Sequence, residues 1–125
     1  MSRPAPVAAA DMRPFWDYVH ELELRAQRCA DCGETRLPAG PVCPVCWSER
    51  ADWVRLSGRG ELQSWVVYRR QYHEAFPVPF TVGLVELEEG PRLEAPLVEV
   101  AAPRWRMPLT LVWRDGVPCF GEEST

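Results

Sequence analysis

Residues 29–46 read CADCGETRLPAGPVCPVC, and this stretch decides the first half of the fold. It contains two Cys-x-x-Cys pairs, Cys29/Cys32 and Cys43/Cys46, separated by ten residues, so four of the chain's five cysteines lie within it. A tight turn after the first cysteine of each pair lets both thiolates point at one centre, and two such turns complete a tetrahedron. The spacing therefore predicts that these four cysteines bind one metal ion.

The four-cysteine site is predicted to be structural rather than catalytic. A tetrahedral ion held by four thiolates has no coordination position left for water or substrate. We therefore expect Zn²⁺, with iron as the alternative, because a rubredoxin-type iron site uses the same ligands. Gly33 after the first pair suits the crowded backbone of such a turn. Trp47 occupies the equivalent position after the second pair, where glycine would be usual, and this predicts strain.

The other uses of clustered cysteines, disulfides and redox chemistry, fit the sequence less well. The first residues, MSRPAPVAAADMRPFW, contain no apolar stretch typical of a secretory signal, and no later segment approaches the roughly 20 apolar residues that span a membrane. We therefore expect a cytoplasmic protein without a membrane partner, where thiols bind metals more often than they form disulfides. A redox pair of the thioredoxin kind would open a helix after a strand, and neither pair has that setting.

Composition restricts the size and the partners of the protein. The 125 residues are 46% hydrophobic and 26% charged, enough for a small metal module and one small domain. All 14 basic residues are arginine, which excludes a Schiff-base lysine and leaves phosphate contacts to guanidinium or backbone groups. The formal net charge of -4 argues against a nucleic-acid partner, since such proteins usually carry a basic surplus.

An N-terminal helix is predicted over residues 11–23, after a mobile tail of residues 1–10 that is rich in Pro and Ala. Asp11 can cap this helix and Pro14 suits its first turn. An apolar stripe follows at helical spacing: Phe15, Trp16, Val19 and Leu22. Two interpretations stay open. The stripe covers the protein's own core, or its first three residues lie at a partner interface.

The second half of the chain has the composition and periodicity of β-strands. We predict a zinc ribbon over residues 24–56, a barrel over residues 57–121 and a short tail over residues 122–125. The first barrel strand carries Gly58 and Gly60, which mark a turn or a bulge.

Two hairpins follow, joined at EEGP (88–91) and RDGV (114–117). Five short antiparallel strands without a long helix between them favour a small closed barrel, of which the five-stranded OB-fold is the commonest. The predicted fold class is therefore mostly β, with an N-terminal helix, a rubredoxin-like zinc ribbon and an OB-fold.

Few residues outside the cysteine pairs suggest chemistry. Cys119 stands alone in the last strand and is expected to be a small buried hydrophobic residue. His20 and His73 have no serine or cysteine neighbour and are expected at the surface. Glu88 and Glu89 are expected at a solvated hairpin tip. Without a nucleophile and base pair, we predict no catalytic residue and no independent enzyme activity.

Several motifs appear in a fixed order: PFWDYVHELELRAQRCADCG, CPVC, SGRGELQSWVVYRR and VPFTVGLVELEEGPRL. In this order they resemble the DUF35 family, which joins a rubredoxin-like zinc ribbon to an OB-fold. The resemblance covers the chain from about Pro14 to about Phe120. It implies a non-catalytic accessory subunit that associates with acyl-CoA in lipid or steroid metabolism. Its implied hetero-oligomer partner is a thiolase-superfamily enzyme (a thiolase or a thiolase-like aldolase of steroid side-chain degradation) or a MaoC-like enoyl-CoA hydratase.

If the barrel binds acyl-CoA, as the resemblance implies, the end of its first strand offers suitable groups. Arg69 and Arg70 have forked donors that fit phosphates, and the aromatic faces of Tyr72 and Phe76 suit the adenine base. The alternative is a solvated strand end. In the loop YHEAFPVPF, Phe76 and Phe80 are expected to lie at the partner interface.

A second function belongs to a different class, that of a single-stranded nucleic-acid-binding OB-fold protein. Trp65 and Tyr68 would then stack on bases beside Arg69 and Arg70. The acidic total charge argues against this alternative.

Overall fold

The computed structural model describes residues 10–71, 74 and 77–123, which form one short α-helix and two β-sheets. Tyr72, His73 and Phe76 lie outside the described residues. After a single 3-10 turn (Ala10–Met12), the elements in chain order are α1 (Arg13–His20), β1 (Arg25–Cys29), β2 (Thr35–Arg36), β3 (Ala51–Arg55), β4 (Arg59–Tyr68), β5 (Phe80–Leu87), β6 (Arg92–Pro96), β7 (Pro108–Arg114) and β8 (Val117–Glu122).

Helix α1 differs from the predicted helix at both ends. Met12, not Asp11, occupies the N-cap position and makes no side-chain capping bond, so the predicted Asp11 cap is wrong. Pro14 lies in the first turn, as expected from its fixed φ. The helix ends at His20, and Leu22, which was assigned to the helical stripe, follows it in a left-handed conformation with φ +60. In the described part of the chain, no helix is long and apolar enough to cross a membrane.

The first sheet has the order β2-β1-β3 and is antiparallel throughout. Strand β1 is central, with Gln27 opposite Arg36 on one side and Trp53 on the other. The last residue of β1 is Cys29, so the sheet holds the first cysteine pair at its end. The second pair lies in the long connection from β2 to β3, which brings it back to the same end of the sheet.

The second sheet has the order β6-β5-β4-β7-β8 and curls into the predicted five-stranded barrel. Its edge strands β6 and β8 meet where Leu97 and Phe120 form a parallel bridge and the amide of Val98 donates to the carbonyl of Phe120 at 2.9 Å. This strand order and closure are consistent with an OB-fold, as predicted.

Both predicted hairpins are present, and their turn residues explain them. Gly90 has φ +114 in the turn between β5 and β6. Asp115 and Gly116 have φ +52 and +76, the left-handed pair that a two-residue hairpin turn requires. The first barrel strand does have a bulge, but it lies between Leu62 and Ser64 and not at the two glycines that were expected to mark it. Gly58 precedes β4 and turns the chain with φ +83.

One hydrophobic core joins the helix, the ribbon sheet and the barrel. Its buried members are Phe15, Val19, Leu24, Ala26, Leu56, Leu62, Val85, Leu87, Ala95, Met107, Leu109 and Phe120. Phe15 and Val19 are only 2% and 5% exposed, so of the two interpretations of the helix stripe the structure supports packing against the protein's own core for these side chains. Cys119 is also buried, as expected.

Candidate metal centre and exposed surfaces

The four paired cysteines converge on one point at the end of the ribbon sheet. Their Sγ atoms all lie within 4.8 Å of one another. The sulfurs of Cys29 and Cys46 are 3.5 Å apart, and those of Cys32 and Cys43 are 3.6 Å apart. A tetrahedral ion with bonds of about 2.3 Å separates its sulfurs by about 3.8 Å. The four side chains are therefore positioned to hold one metal ion.

Two six-residue turns, which we call the first knuckle (residues 29–34) and the second knuckle (residues 43–48), supply these thiols with the same backbone pattern. The fifth residue of each donates its amide to the carbonyl of the first cysteine, from Gly33 at 3.0 Å and from Trp47 at 2.8 Å. The amide of that first cysteine donates to the carbonyl of the knuckle's last residue at 2.9 Å in both. The two Cys-x-x-Cys segments therefore fold into two matching turns.

The fifth residue of each knuckle has a left-handed backbone conformation. Gly33 has φ +81, which glycine adopts at little cost. Trp47 has φ +65, and its Cβ makes that conformation unfavourable. The strain expected from a tryptophan at this position is therefore present in the fold.

Backbone amides that point at the sulfurs lower the pKa values of Cys29 and Cys43. The amide of Cys32 points at the sulfur of Cys29 at 3.5 Å and lowers the pKa of Cys29 to about 6. The amide of Cys46 lowers the pKa of Cys43 in the same way. The amide of Glu34 lowers the pKa of Cys32, but burial and the neighbouring thiols outweigh it and raise this pKa to about 12. Ionising all four thiols together therefore requires a cation, which a metal ion supplies.

An ion pair braces the two knuckles against each other. Asp31 in the first knuckle accepts hydrogen bonds from the hydroxyl of Ser48 in the second knuckle and from the guanidinium of Arg50. Arg50, with Ser48 as a smaller contributor, holds the pKa of Asp31 below its ordinary value. The backbone amide of Arg50 also donates to Ser48 Oγ at 3.1 Å. These contacts fix the relative positions of the two cysteine pairs without touching the sulfurs.

The end of strand β4 forms an exposed apolar surface. Four consecutive side chains are 38 to 56% exposed: Trp65, Val66, Val67 and Tyr68. Tyr68 stacks on Phe80 with ring centroids 4.9 Å apart and an interplanar angle of 10°. We call these five residues the β4 surface. The sequence predicts surface roles for Trp65, Tyr68 and Phe80 but does not distinguish the two valines.

The residues predicted to contact CoA lie next to the β4 surface or outside the described residues. Arg69 and Arg70 follow directly after β4 and are exposed. Tyr72 and Phe76 are not among the described residues. The two arginines therefore follow directly in sequence on Tyr68, whose ring stacks on Phe80.

A second apolar feature is lined by residues of helix α1, the ribbon and the barrel. It is a groove of about 1030 Å³. The lining residues are mostly apolar: Met12, Phe15, Trp16, Val19, His20, Leu37, Pro38, Leu84, Arg92, Leu93, Glu94, Pro96, Asp115, Gly116, Val117 and Pro118. Trp16, which belongs to the helix stripe, is only partly buried in this groove. Sequence reasoning missed this groove because its walls come from segments far apart in the chain.

Two family models match consecutive parts of the chain. The rubredoxin-like zinc ribbon domain of ChsH2 matches residues 16–52, and the C-terminal OB-fold domain of ChsH2 matches residues 53–114. Together they cover the ribbon sheet and the barrel strands through β7, and β8 (Val117–Glu122) follows the matched residues.

Curated relatives are similar over most of this chain. A probable enoyl-CoA hydratase alpha subunit from Thermomonospora curvata is 38% identical over 93% of this chain. A 3-oxo-4,17-pregnadiene-20-carboxyl-CoA hydratase alpha subunit from Mycobacterium tuberculosis is 43% identical over 70% of this chain. The matches span only 37% and 28% of the length of these two relatives.

A solved structure described as an Ltp2-ChsH2(DUF35) aldolase contains a similar chain. The two chains superpose with a TM-score of 0.86 at 35% sequence identity. The match covers 94% of this chain and 98% of that one, so both consist of the same ribbon and barrel.

Proposed function

Because this chain belongs to the ChsH2 family of DUF35 proteins, we propose that it is a non-catalytic accessory subunit of a hetero-oligomeric enzyme complex acting on acyl-CoA. The observation that carries the proposal is the near-complete match to the DUF35 chain of a solved aldolase. The chemistry agrees with it, since the four-thiol site has all its coordination positions taken by protein ligands.

The partner we infer is a thiolase-superfamily enzyme, such as a thiolase-like aldolase, or a MaoC-like enoyl-CoA hydratase. The names of the relatives support these two classes, because one solved relative is part of an aldolase and two others are hydratase alpha subunits. The aldolase class is favoured, since there the match takes in 98% of the relative's chain rather than 37% or less.

Co-purification tests this proposal. The tagged protein is expressed with a thiolase-superfamily enzyme or a MaoC-like hydratase encoded beside it, and the eluate is analysed by size-exclusion chromatography with light scattering. We expect a stable complex with one of the two. A monomer that catalyses thiolysis, hydration or retro-aldol cleavage unaided would overturn the accessory role.

For the metal, we propose that Cys29, Cys32, Cys43 and Cys46 hold one structural Zn²⁺. The sulfur distances suit a tetrahedral ion, and the closed ligand set suits a structural role. When bound, the ion cross-links the two knuckles and so stabilises the ribbon. Elemental analysis should find one zinc per chain. One iron per chain, together with visible absorption from iron bound to thiolates, would instead identify the site as the rubredoxin-type alternative.

For CoA, we propose that Arg69 and Arg70, with Tyr72 and Phe76, contact the phosphates and the adenine. Support comes from the position of the exposed arginines beside the β4 surface, where an aromatic stack is already present. In the complex, the Arg69→Ala/Arg70→Ala double variant should bind acyl-CoA at least tenfold more weakly. Arg55→Ala, which removes an exposed arginine from the ribbon, is the control. Equal affinity of the double variant and the wild type would reject the contact.

For docking, we propose that Trp16, Phe76 and Phe80 contribute to the partner interface. Trp16 is partly buried in the groove beside α1, and Phe80 belongs to the β4 surface. Exposed aromatic residues commonly anchor interfaces and contribute about 2 kcal/mol or more each. Phe80→Ala and Trp16→Ala should therefore weaken co-purification while the metal content stays unchanged. Normal co-purification of both variants would remove these residues from the interface.

A further inference from the structure

The second knuckle presents a tryptophan whose side chain lies outside the hydrophobic core. Trp47 is 77% exposed, and among the described residues its indole makes no hydrogen bond and no ring contact. Its backbone amide closes the knuckle on Cys43, but a glycine would make the same bond, as Gly33 does in the first knuckle.

The conformation of Trp47 opposes folding. Its φ of +65 lies in the left-handed region, where a side chain with a Cβ is strained. The matching Gly33, at φ +81, shows what the knuckle geometry prefers. A strained residue that is also solvent-exposed points to a role outside the isolated chain, because no hydrogen bond or ring contact of its side chain with another described residue compensates for the strain.

The surroundings of Trp47 form a small rigid apolar tip. Val45, two residues earlier in the same knuckle, is 63% exposed. The proposed metal ion would fix Cys43 and Cys46 to the ribbon sheet, and Ser48 joins this segment to the first knuckle through Asp31. An indole held on a braced turn loses little conformational entropy on binding, which favours its use as an anchor.

The charge of the metal site beneath the tip indicates which charge the partner's surface should carry. Four thiolates and the proposed divalent ion leave a net charge of about -2. Cys32 and Cys46 are exposed, and Glu49 follows the knuckle in an exposed position. The nearby cation Arg50 is already paired with Asp31. The tip therefore complements an apolar pocket with a basic rim.

We infer that Trp47 anchors the zinc ribbon to the enzyme subunit of the complex by inserting its indole into such a pocket. This inference rests on the proposed function, since the occupant of the tip is the catalytic partner proposed there. It gives the ribbon a docking role in addition to its structural metal.

The substitution Trp47→Gly separates docking from folding. Glycine relieves the left-handed strain, so the variant should keep one metal per chain and an equal or higher thermal midpoint. Its affinity for the co-purifying enzyme subunit, measured by isothermal titration calorimetry, should fall at least tenfold. Trp47→Tyr should restore most of the affinity, because it returns an aromatic anchor. Trp47→Asn is a second variant that should lose affinity for the enzyme subunit, because asparagine also tolerates the left-handed region.

Trp105, which is 67% exposed in the connection before β7, provides the matched control. Trp105→Ala removes an exposed tryptophan elsewhere and should leave the affinity within twofold. Binding by the Trp47→Gly variant as tight as by the wild type would overturn the inference. It would also be overturned if this variant changed only the self-association of the isolated chain. If the wild type binds neither enzyme class, the proposed function itself is rejected. The inference, which rests on that function, is then rejected as well.

Discussion

At the scale of single residues, Gly60 shows how the absence of a side chain lets two barrel strands meet. It lies inside strand β4 rather than in a turn. A Cβ built there would be 2.5 Å from the carbonyl oxygen of Glu86 and 2.7 Å from a methyl carbon of Val85. Neither the strand backbone of β5 nor the fully buried Val85 has room to move.

Gly60→Ala should therefore lower the free energy of unfolding by about 1–3 kcal/mol through overpacking. Urea denaturation followed by tryptophan fluorescence measures this change. Gly40→Ala is the control, because the nearest atom to a Cβ there, the carbonyl oxygen of Val42, is at 4.0 Å. It should change the stability by less than about 0.5 kcal/mol. Equal stabilities of the two variants would contradict the steric argument.

At the scale of elements, the ribbon sheet is too small to be stable by packing alone. Strand β2 has two residues, and β1 and β3 have five each. Two of the buried side chains at its end are the cysteines Cys29 and Cys43. A sheet of this size usually needs a metal or a disulfide, and all five cysteines are free thiols.

Cys43→Ser should abolish stoichiometric metal binding and increase amide hydrogen exchange over β1, β2 and β3, since metal binding and local folding are coupled. Elemental analysis and hydrogen exchange by mass spectrometry measure the two effects. Cys119→Ser is the matched control, because the Cys119 thiol lies in β8 and contacts the carbonyl of Val117 at 3.6 Å. Full metal content in Cys43→Ser would exclude the four-thiolate site.

At the scale of the whole molecule, the ribbon and the barrel share one core. Phe15 of α1 and Leu24 before β1 belong to the same buried cluster as Leu62 and Phe120 of the barrel. The amide of Leu56 donates to the carbonyl of Leu24 at 2.8 Å where the chain passes from β3 to the barrel. Ribbon and barrel are therefore expected to unfold together.

Phe15→Ala should lower the free energy of unfolding by about 3–5 kcal/mol, because it leaves a cavity in this shared core. The half-exposed Leu22 offers the control, and Leu22→Ala should cost less than about 1 kcal/mol. Denaturation followed in parallel by fluorescence and by metal release should give one coincident transition. Two separate transitions would show that the ribbon and the barrel are independent units.

Features that depend on short stretches of chain can be predicted from the sequence. The two Cys-x-x-Cys pairs specify the knuckles, and the segments EEGP and RDGV specify their hairpins, because turn conformation follows from neighbouring residues. The left-handed position of Trp47 was also foreseeable from the glycine expected there. The order of motifs identified the family, and with it the ribbon followed by an OB-fold.

Only the tertiary structure decided which apolar residues are buried and which face solvent. Phe15 and Val19 looked like docking residues, but the packing of α1 on the ribbon and barrel buries them. Val66 and Val67 at the end of β4 are apolar strand residues, yet they are exposed. The barrel closes between Leu97 and Phe120, which a local pattern does not specify. The physical reason is that burial depends on which distant segment packs against a residue, whereas turns and ligand spacing depend on its immediate neighbours.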